Sequence, residues 1–249
     1  MAMLLEVCVD SLASARAAIA GGADRLELCS ALTVGGLTPY PELLRQIRAE
    51  SAIPVRCLMR PRGGDFLYSE DEIAMMAAQI TALRQNGADG FVIGCLDADG
   101  RLDTGAMQPL LAAAHGCGLT LHRCIDVSRD PLQTYRAAAA CGIDTVLTSG
   151  AAVNCVAGRS VLAQLLALRD ETDGPEILIG AGVNAAVITQ LRYSLPGARA
   201  FHASCKAEVE SGMRFRREGV PMGLPGLDEW HLQQTSEQAV RLAKDALDA

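Results

Sequence analysis

The sequence repeatedly sets one chemically capable side chain two residues from another. Glu6 precedes Cys8, Arg25 precedes Glu27 and then Cys29, Thr120 precedes His122, and His202 precedes Ser204, each by steps of two. Side chains alternate along an extended chain, so each set shares one face if its segment is a strand. Leu5, Val7, Leu26, Leu28, Leu119, Leu121, Phe201 and Ala203 then take the opposite faces. A carboxylate beside an imidazole suits proton transfer near neutral pH. Arginine forks suit carboxylate or phosphate oxygens.

Three further segments carry polar groups. Arg60-Pro61-Arg62-Gly63-Gly64-Asp65-Phe66 reads as a flexible turn with anion-binding capacity. Thr148-Ser149-Gly150 offers hydroxyls and backbone N–H groups. Gly180-Ala181-Gly182, ahead of a helix start at Asn184, is similar to a phosphate cradle, with a plain tight turn as the alternative. Ser149, Gly180 and Gly182, with Arg62, are the candidate anion contacts. Asp97-Ala98-Asp99-Gly100 resembles half a calcium loop, lacks the downstream ligands, and reads as a turn.

The elements that must position these groups follow from periodicity. Strand-like runs fall at Leu4–Val9, Arg25–Cys29, Val55–Arg60, Gly90–Cys95, Leu119–Cys124, Asp144–Thr148, Glu176–Gly180 and Arg199–Ser204, each followed by a helical pattern. Ser69 with Glu72 makes a capping box, and Ile73, Met76, Ile80 and Leu83 form one apolar stripe behind it. Thr38-Pro39 and Asp130-Pro131 read as caps followed by a first-turn proline, Asn184 as a cap, and Thr235 with Gln238 as a box for the last helix. Strict alternation predicts a parallel sheet. Eight units of about 31 residues predict closure into a single (β/α)8 TIM barrel spanning residues 1–249. An open doubly wound sheet would want G-x-G-x-x-G after the first strand, and Val9-Asp10-Ser11 is not that. Residues 206–235, which hold Met213, Met222, Trp230, Pro221 and Pro225, read as a long loop, a lid or a dimer contact.

The outer face of a barrel strand packs on apolar helices, so the polar sets should point inward. A buried charge is costly unless paired. Arg60 is the expected partner of Glu6 and Glu27, with Arg62 just beyond it. Two readings stand: a structural ion-pair network, or a site at the C-terminal strand ends, where TIM barrels keep theirs.

Composition narrows the function classes. The net charge is −7, aromatics are 4%, and the only basic cluster is Arg214, Arg216 and Arg217, so a nucleic-acid surface is not expected. No apolar run approaches the roughly 20 residues of a membrane span. Met1 to Asp10 carries Glu6 and Asp10 and no leading Lys or Arg, unlike a signal peptide, and the protein is expected in the cytoplasm. Nine cysteines include no C-x-x-C pair, which predicts buried free thiols rather than a disulfide scaffold.

Glu6-Val7-Cys8, Gly22-Ala23-Asp24-Arg25-Leu26-Glu27-Leu28-Cys29, the Arg60–Phe66 segment, His122-Arg123, Leu147-Thr148-Ser149-Gly150 and Ser211-Gly212-Met213 resemble the CutC family along nearly the whole chain. That resemblance implies a TIM barrel, a cytoplasmic role in copper homeostasis, and Cu(I) held by cysteines matching Cys8 and Cys29. Neighbouring strands stand about 5 Å apart, so both sulfurs could reach one soft ion. The chain departs from the family at His122-Arg123-Cys124-Ile125-Asp126, where His-Arg-Ala-Phe-Asp is common. It departs again at Phe201-His202-Ala203-Ser204, where a preceding carboxylate is missing. Cys124 and Cys205 are extra thiols near the rim. Two functions therefore compete: a copper-binding protein, or an enzyme acting on a small phosphorylated or carboxylated substrate in a pocket of Glu6, Glu27, Arg60, Arg62, His122 and His202. A homodimer or larger symmetric oligomer is expected.

Overall fold

The computed structural model describes residues 3–217, 219, 220, 222, 223, 226 and 228–249. Met1 and Ala2 of the segment read for a leader, and Pro221 and Pro225 of the long loop, lie outside them. Eight strands, β1 (Leu4–Val9), β2 (Arg25–Leu28), β3 (Val55–Leu58), β4 (Gly90–Ile93), β5 (Gly118–Leu121), β6 (Thr145–Thr148), β7 (Glu176–Ile179) and β8 (Ala200–Ala203), run parallel. They form one closed barrel in sequence order, β1 pairing β8. Helices α1 (Leu12–Ala20), α2 (Pro41–Glu50), α3 (Glu70–Gln85), α4 (Thr104–Ala113), α5 (Pro131–Ala140), α6 (Arg159–Thr172) and α7 (Ala185–Ser194) each follow a strand, and α8 (Glu237–Asp248) ends the chain. This is the (β/α)8 TIM barrel that the sequence predicts.

The alternation of side chains decides what lies on each side of the sheet. Leu5, Val7, Leu26, Leu28, Phe91, Val146, Ile177 and Phe201 belong to one core cluster with helix residues such as Leu44, Met76 and Leu165. The intervening residues face the interior. There the packing splits into two small apolar clusters: Cys8, Cys29, Leu58 and Val92 on β1–β4, and Leu147, Leu178 and Ala200 on β6–β8. The remaining interior is polar: Glu6, Arg25, Glu27, Thr120 and Thr145 are all buried.

Local signals hold at most helix starts. The Ser69–Glu72 capping box forms, Asp130 accepts from Leu132 N and Gln133 N ahead of Pro131, and Asn184 accepts from Val187 N. Two starts are displaced. Helix α2 begins at Pro41 behind Tyr40 and not at Thr38-Pro39. Thr38 is drawn off to clamp the Arg60 backbone, donating to Arg60 O (3.2 Å) and accepting from Arg60 N (3.0 Å) through its hydroxyl. The last helix is capped by Ser236, because Thr235 is taken up by a strand.

That strand corrects the reading of residues 206–235 as a loop. β9 (Lys206–Glu210) and β10 (His231–Thr235) form an antiparallel ribbon after β8. Its base is tied down by Thr235 N donating to Ser14 Oγ (3.2 Å) and Ser236 N to Cys205 O (2.9 Å). Among the described residues, no helix is long and apolar enough to cross a membrane.

Candidate functional site

A cavity of about 800 Å³ opens at the C-terminal ends of the strands. Cys8, Glu27, Arg60, His122 and His202 all line it, together with Phe66. Lys206, Leu232, Gln233 and Gln234 of the ribbon border it as well, so β9 and β10 wall its mouth.

Five side chains on β1, β2 and β8, or just beyond β2, form one network. The strand register places Glu6 level with Arg25 on one side and His202 on the other. Arg25 Nε donates to Glu6 Oε2 at 2.5 Å, and His202 Nδ1 meets Glu6 Oε1 at 2.8 Å. His202 Nε2 faces Glu27 Oε2 at 3.8 Å. Cys29 Sγ donates to the same Glu27 oxygen at 3.3 Å. Cys8, Glu27 and His202 each offer a ligand atom, and these atoms lie within 4.8 Å of one another.

Electrostatics follow from this packing. Burial alone would raise the Glu6 carboxyl, but the Arg25 charge and the His202 contact outweigh it and hold it at about 2. Burial works against an imidazolium at His202, yet the facing Glu27, helped by Cys8 and Glu6, keeps its pKa well above the ordinary value. Burial raises Glu27, opposed by His202. Burial also pushes the Cys29 thiol well up, reinforced by Glu27. The resting site therefore pairs an ionised Glu6 with cations at Arg25 and His202 and keeps Cys29 as a thiol.

The expected partner of the carboxylates is corrected. Arg25, and not Arg60, neutralises Glu6. Arg60 lies at the end of β3, where its Nη1 donates to the carbonyls of Val34 and Gly36 (both 3.0 Å) and its Nη2 to Gly64 (3.1 Å). His122 lies just beyond β5, where its Nδ1 accepts from Cys124 N at 3.2 Å. Burial, with the Arg60 charge, pushes its pKa down to about 3. Phe66 stacks on this ring with centroids 4.7 Å apart.

The other expected anion contacts are placed differently. Arg62 is outside the cavity lining, held by Glu72 (2.6 Å), Asp65 (3.0 Å) and the Leu67 carbonyl (2.8 Å). Ser149 is fully buried and already serves a carboxylate: Asp126 accepts from Ser149 N and Oγ, Thr148 Oγ1 and Ala151 N, and Arg123 Nε closes the set. A side chain of the protein thus takes the place read for an external anion. Gly180 is packed against Leu147 and His202 outside the cavity lining, whereas Gly182 (φ +77°) lines it. The two expected thiols also differ: Cys8 borders the cavity, while Cys29 is fully buried beneath Gly36. Sequence reasoning missed Arg56, which crosses the barrel interior to Thr120 (2.6 Å), Thr145 (3.1 Å) and Asp144 (2.8 Å). Its position two residues before the inward Leu58 and four before Arg60 was the available signal.

Comparison with known proteins agrees with this architecture. The CutC family model matches residues 3–207. CutC family proteins of Chromobacterium violaceum and Klebsiella pneumoniae are 41% and 39% identical, covering 100% and 99% of this chain and 99% and 98% of their own lengths. The solved CutC of Streptococcus agalactiae, named as a candidate copper homeostasis protein, superposes with a TM-score of 0.76 at 27% identity. It covers 81% of this chain and 98% of its own. With its barrel and its matched sequence, this chain belongs to the CutC family.

Proposed function

We propose that the protein serves copper homeostasis in the cytoplasm by binding Cu(I) at the inner mouth of the barrel, with Cys8 and Cys29 as thiolate ligands and His202 as a third. The observation that carries this reading is the clustering of Cys8 Sγ, a Glu27 oxygen and a His202 nitrogen within 4.8 Å, with Cys29 Sγ 3.3 Å from Glu27. Soft thiolates select Cu(I), and imidazole is an accepted partner. Glu6 grips His202 Nδ1, which leaves Nε2 for the ion; metal-bound histidines commonly have such a carboxylate behind them. Glu27 is placed to receive the proton that the Cys29 thiol gives up as the metal arrives. Because protons leave both Cys29 and His202, affinity should rise with pH. The test is a Cu(I) titration of the reduced protein against a competing chelator. The Cys8→Ala/Cys29→Ala variant should lose the site; full stoichiometry and affinity in that variant would overturn the reading.

The cavity also supports a second reading. A single ion needs far less than about 800 Å³, a volume in the range of small-molecule pockets. A small anionic organic molecule, bound alone or beside the metal, fits that space.

A further inference from the structure

Across the mouth from the thiols, β3 and β5 hold two groups that the copper reading does not use. Arg60 is 9% exposed and lines the cavity. A guanidinium has five N–H donors. Three of them go to backbone carbonyls. The Nε–H is buried with no acceptor, and among the described residues no carboxylate forms an ion pair with this arginine. A buried cation without a counter-charge is expensive unless something supplies one. Thr38 and three carbonyls nevertheless fix Arg60 in place.

His122 is 4% exposed and its Nε2 is likewise buried with no partner. Its Nδ1 accepts from Cys124 N, so in the neutral ring the proton sits on Nε2 and that atom is a donor. The two orphaned donors share one cover. Phe66 stacks on His122 at 4.7 Å, and its ring centroid is 5.5 Å from Arg60 Cζ. Phe66 itself is only half-buried and borders the cavity.

We infer that Arg60 and His122 form a carboxylate subsite beneath Phe66, with the two remaining N–H groups of Arg60 gripping the carboxylate and His122 Nε2–H donating to an oxygen on the adjoining carbon. This deepens the second reading above and names its ligand class: a small 2-oxo or 2-hydroxy carboxylate. Charge selects carboxylate over phosphate. Of the other cations at the cavity, His202 is paired with Glu6 at 2.8 Å, the exposed Arg123 is neutralised by Asp126 at 2.7 Å, and Lys206 stands out on the exposed ribbon. Glu27 makes another part of the lining acidic. One uncompensated guanidinium matches a monoanion, and its planar fork matches a carboxylate. Leu58 and Leu147 offer apolar surface to the rest of the molecule.

The test uses the copper-free full-length protein labelled with 15N-histidine, whose four histidines give few, separable ring signals. Pyruvate, acetate and inorganic phosphate are the probes. Pyruvate should shift the His122 ring signal saturably, with acetate roughly tenfold weaker for want of one hydrogen bond. Arg60→Lys keeps the charge and loses the fork; His122→Phe keeps the ring stack and loses the donor. Each should weaken pyruvate by roughly tenfold or more while the remaining spectrum shows a folded chain. His122→Phe, whose pyruvate affinity is read by calorimetry because the ring reporter is gone, decides the matter if Arg60→Lys does not fold. Binding of pyruvate that both folded variants leave unchanged would overturn the subsite and keep the wider cavity reading. Tighter binding of phosphate than of pyruvate would overturn the carboxylate assignment. No binding of any probe would overturn the subsite and the second reading together.

Discussion

Glu6 receives Arg25 on one carboxylate oxygen and His202 on the other, with no surface exposed. Removing one member of such a buried pair strands the other. Arg25→Met should cost about 3–5 kcal/mol in urea unfolding. Arg60→Met should cost less, since Arg60 has no carboxylate to strand; equal losses would contradict this division of roles. A second residue-level outcome concerns acid. His122 is held neutral in the fold with a pKa of about 3, against about 6.5 in an unfolded chain. Below about pH 6.5 the unfolded state therefore binds a proton that the folded state refuses, and stability falls with falling pH until about pH 3. Glu6 adds to the loss only below its ordinary range near 4.5, as pH falls toward 2. His202 works the other way near neutrality: it stays protonated in the fold, so its contribution grows as the unfolded chain takes up the same proton around pH 6.5, and is constant below about pH 5. The His122 contribution should thus drop by about 2 kcal/mol between pH 7 and pH 5, offset in part by His202. His122→Asn should flatten that slope, and an unchanged slope would contradict the assignment.

The strand ends show what a sequence can and cannot say about an element. Alternation alone told which side chains of Leu4–Val9 and Arg25–Leu28 turn inward, because the period of a strand is a local property. It could not tell that Glu6 lies level with Arg25, since that depends on the stagger of closed strands and not on either segment. Arg60 was therefore named as the counter-ion although Arg25 sat in the same inward set. The ribbon was missed for a similar reason. Lys206–Glu210 and His231–Thr235 are polar and exposed for most of their length, and only their pairing across an intervening segment makes them strands. The turn after β6 was legible as a polar loop, but its anion proved to be Asp126, supplied from the segment after β5. Asp126 is 4% exposed at its side chain and satisfies four donors on that turn, besides Arg123. Asp126→Ala should destabilise the protein by roughly 2–4 kcal/mol, because several buried donors lose their acceptor together. A loss within about 0.5 kcal/mol, the range of ordinary surface changes, would count against that role.

At the scale of the molecule, a closed barrel with a main core outside its strands leaves its interior free for charge and its mouth free for a site. The ribbon beside that mouth exposes Val209 and Leu232, the segment after β9 exposes Met213 and Phe215, and Arg216 lies over the Trp230 ring at 5.6 Å. The expected assembly is a homodimer or larger symmetric oligomer that covers part of this segment. Light scattering at micromolar concentration checks it, and a monomeric mass would contradict it. The central claim is that copper sits between β1, β2 and β8. X-ray absorption at the copper edge of the reduced, Cu(I)-loaded protein tests it most directly. The account predicts two sulfur ligands and one imidazole nitrogen, with the sulfur signal lost in Cys8→Ala/Cys29→Ala and the imidazole signal lost in His202→Ala. A copper environment without sulfur, or one that those substitutions leave unchanged, would contradict it.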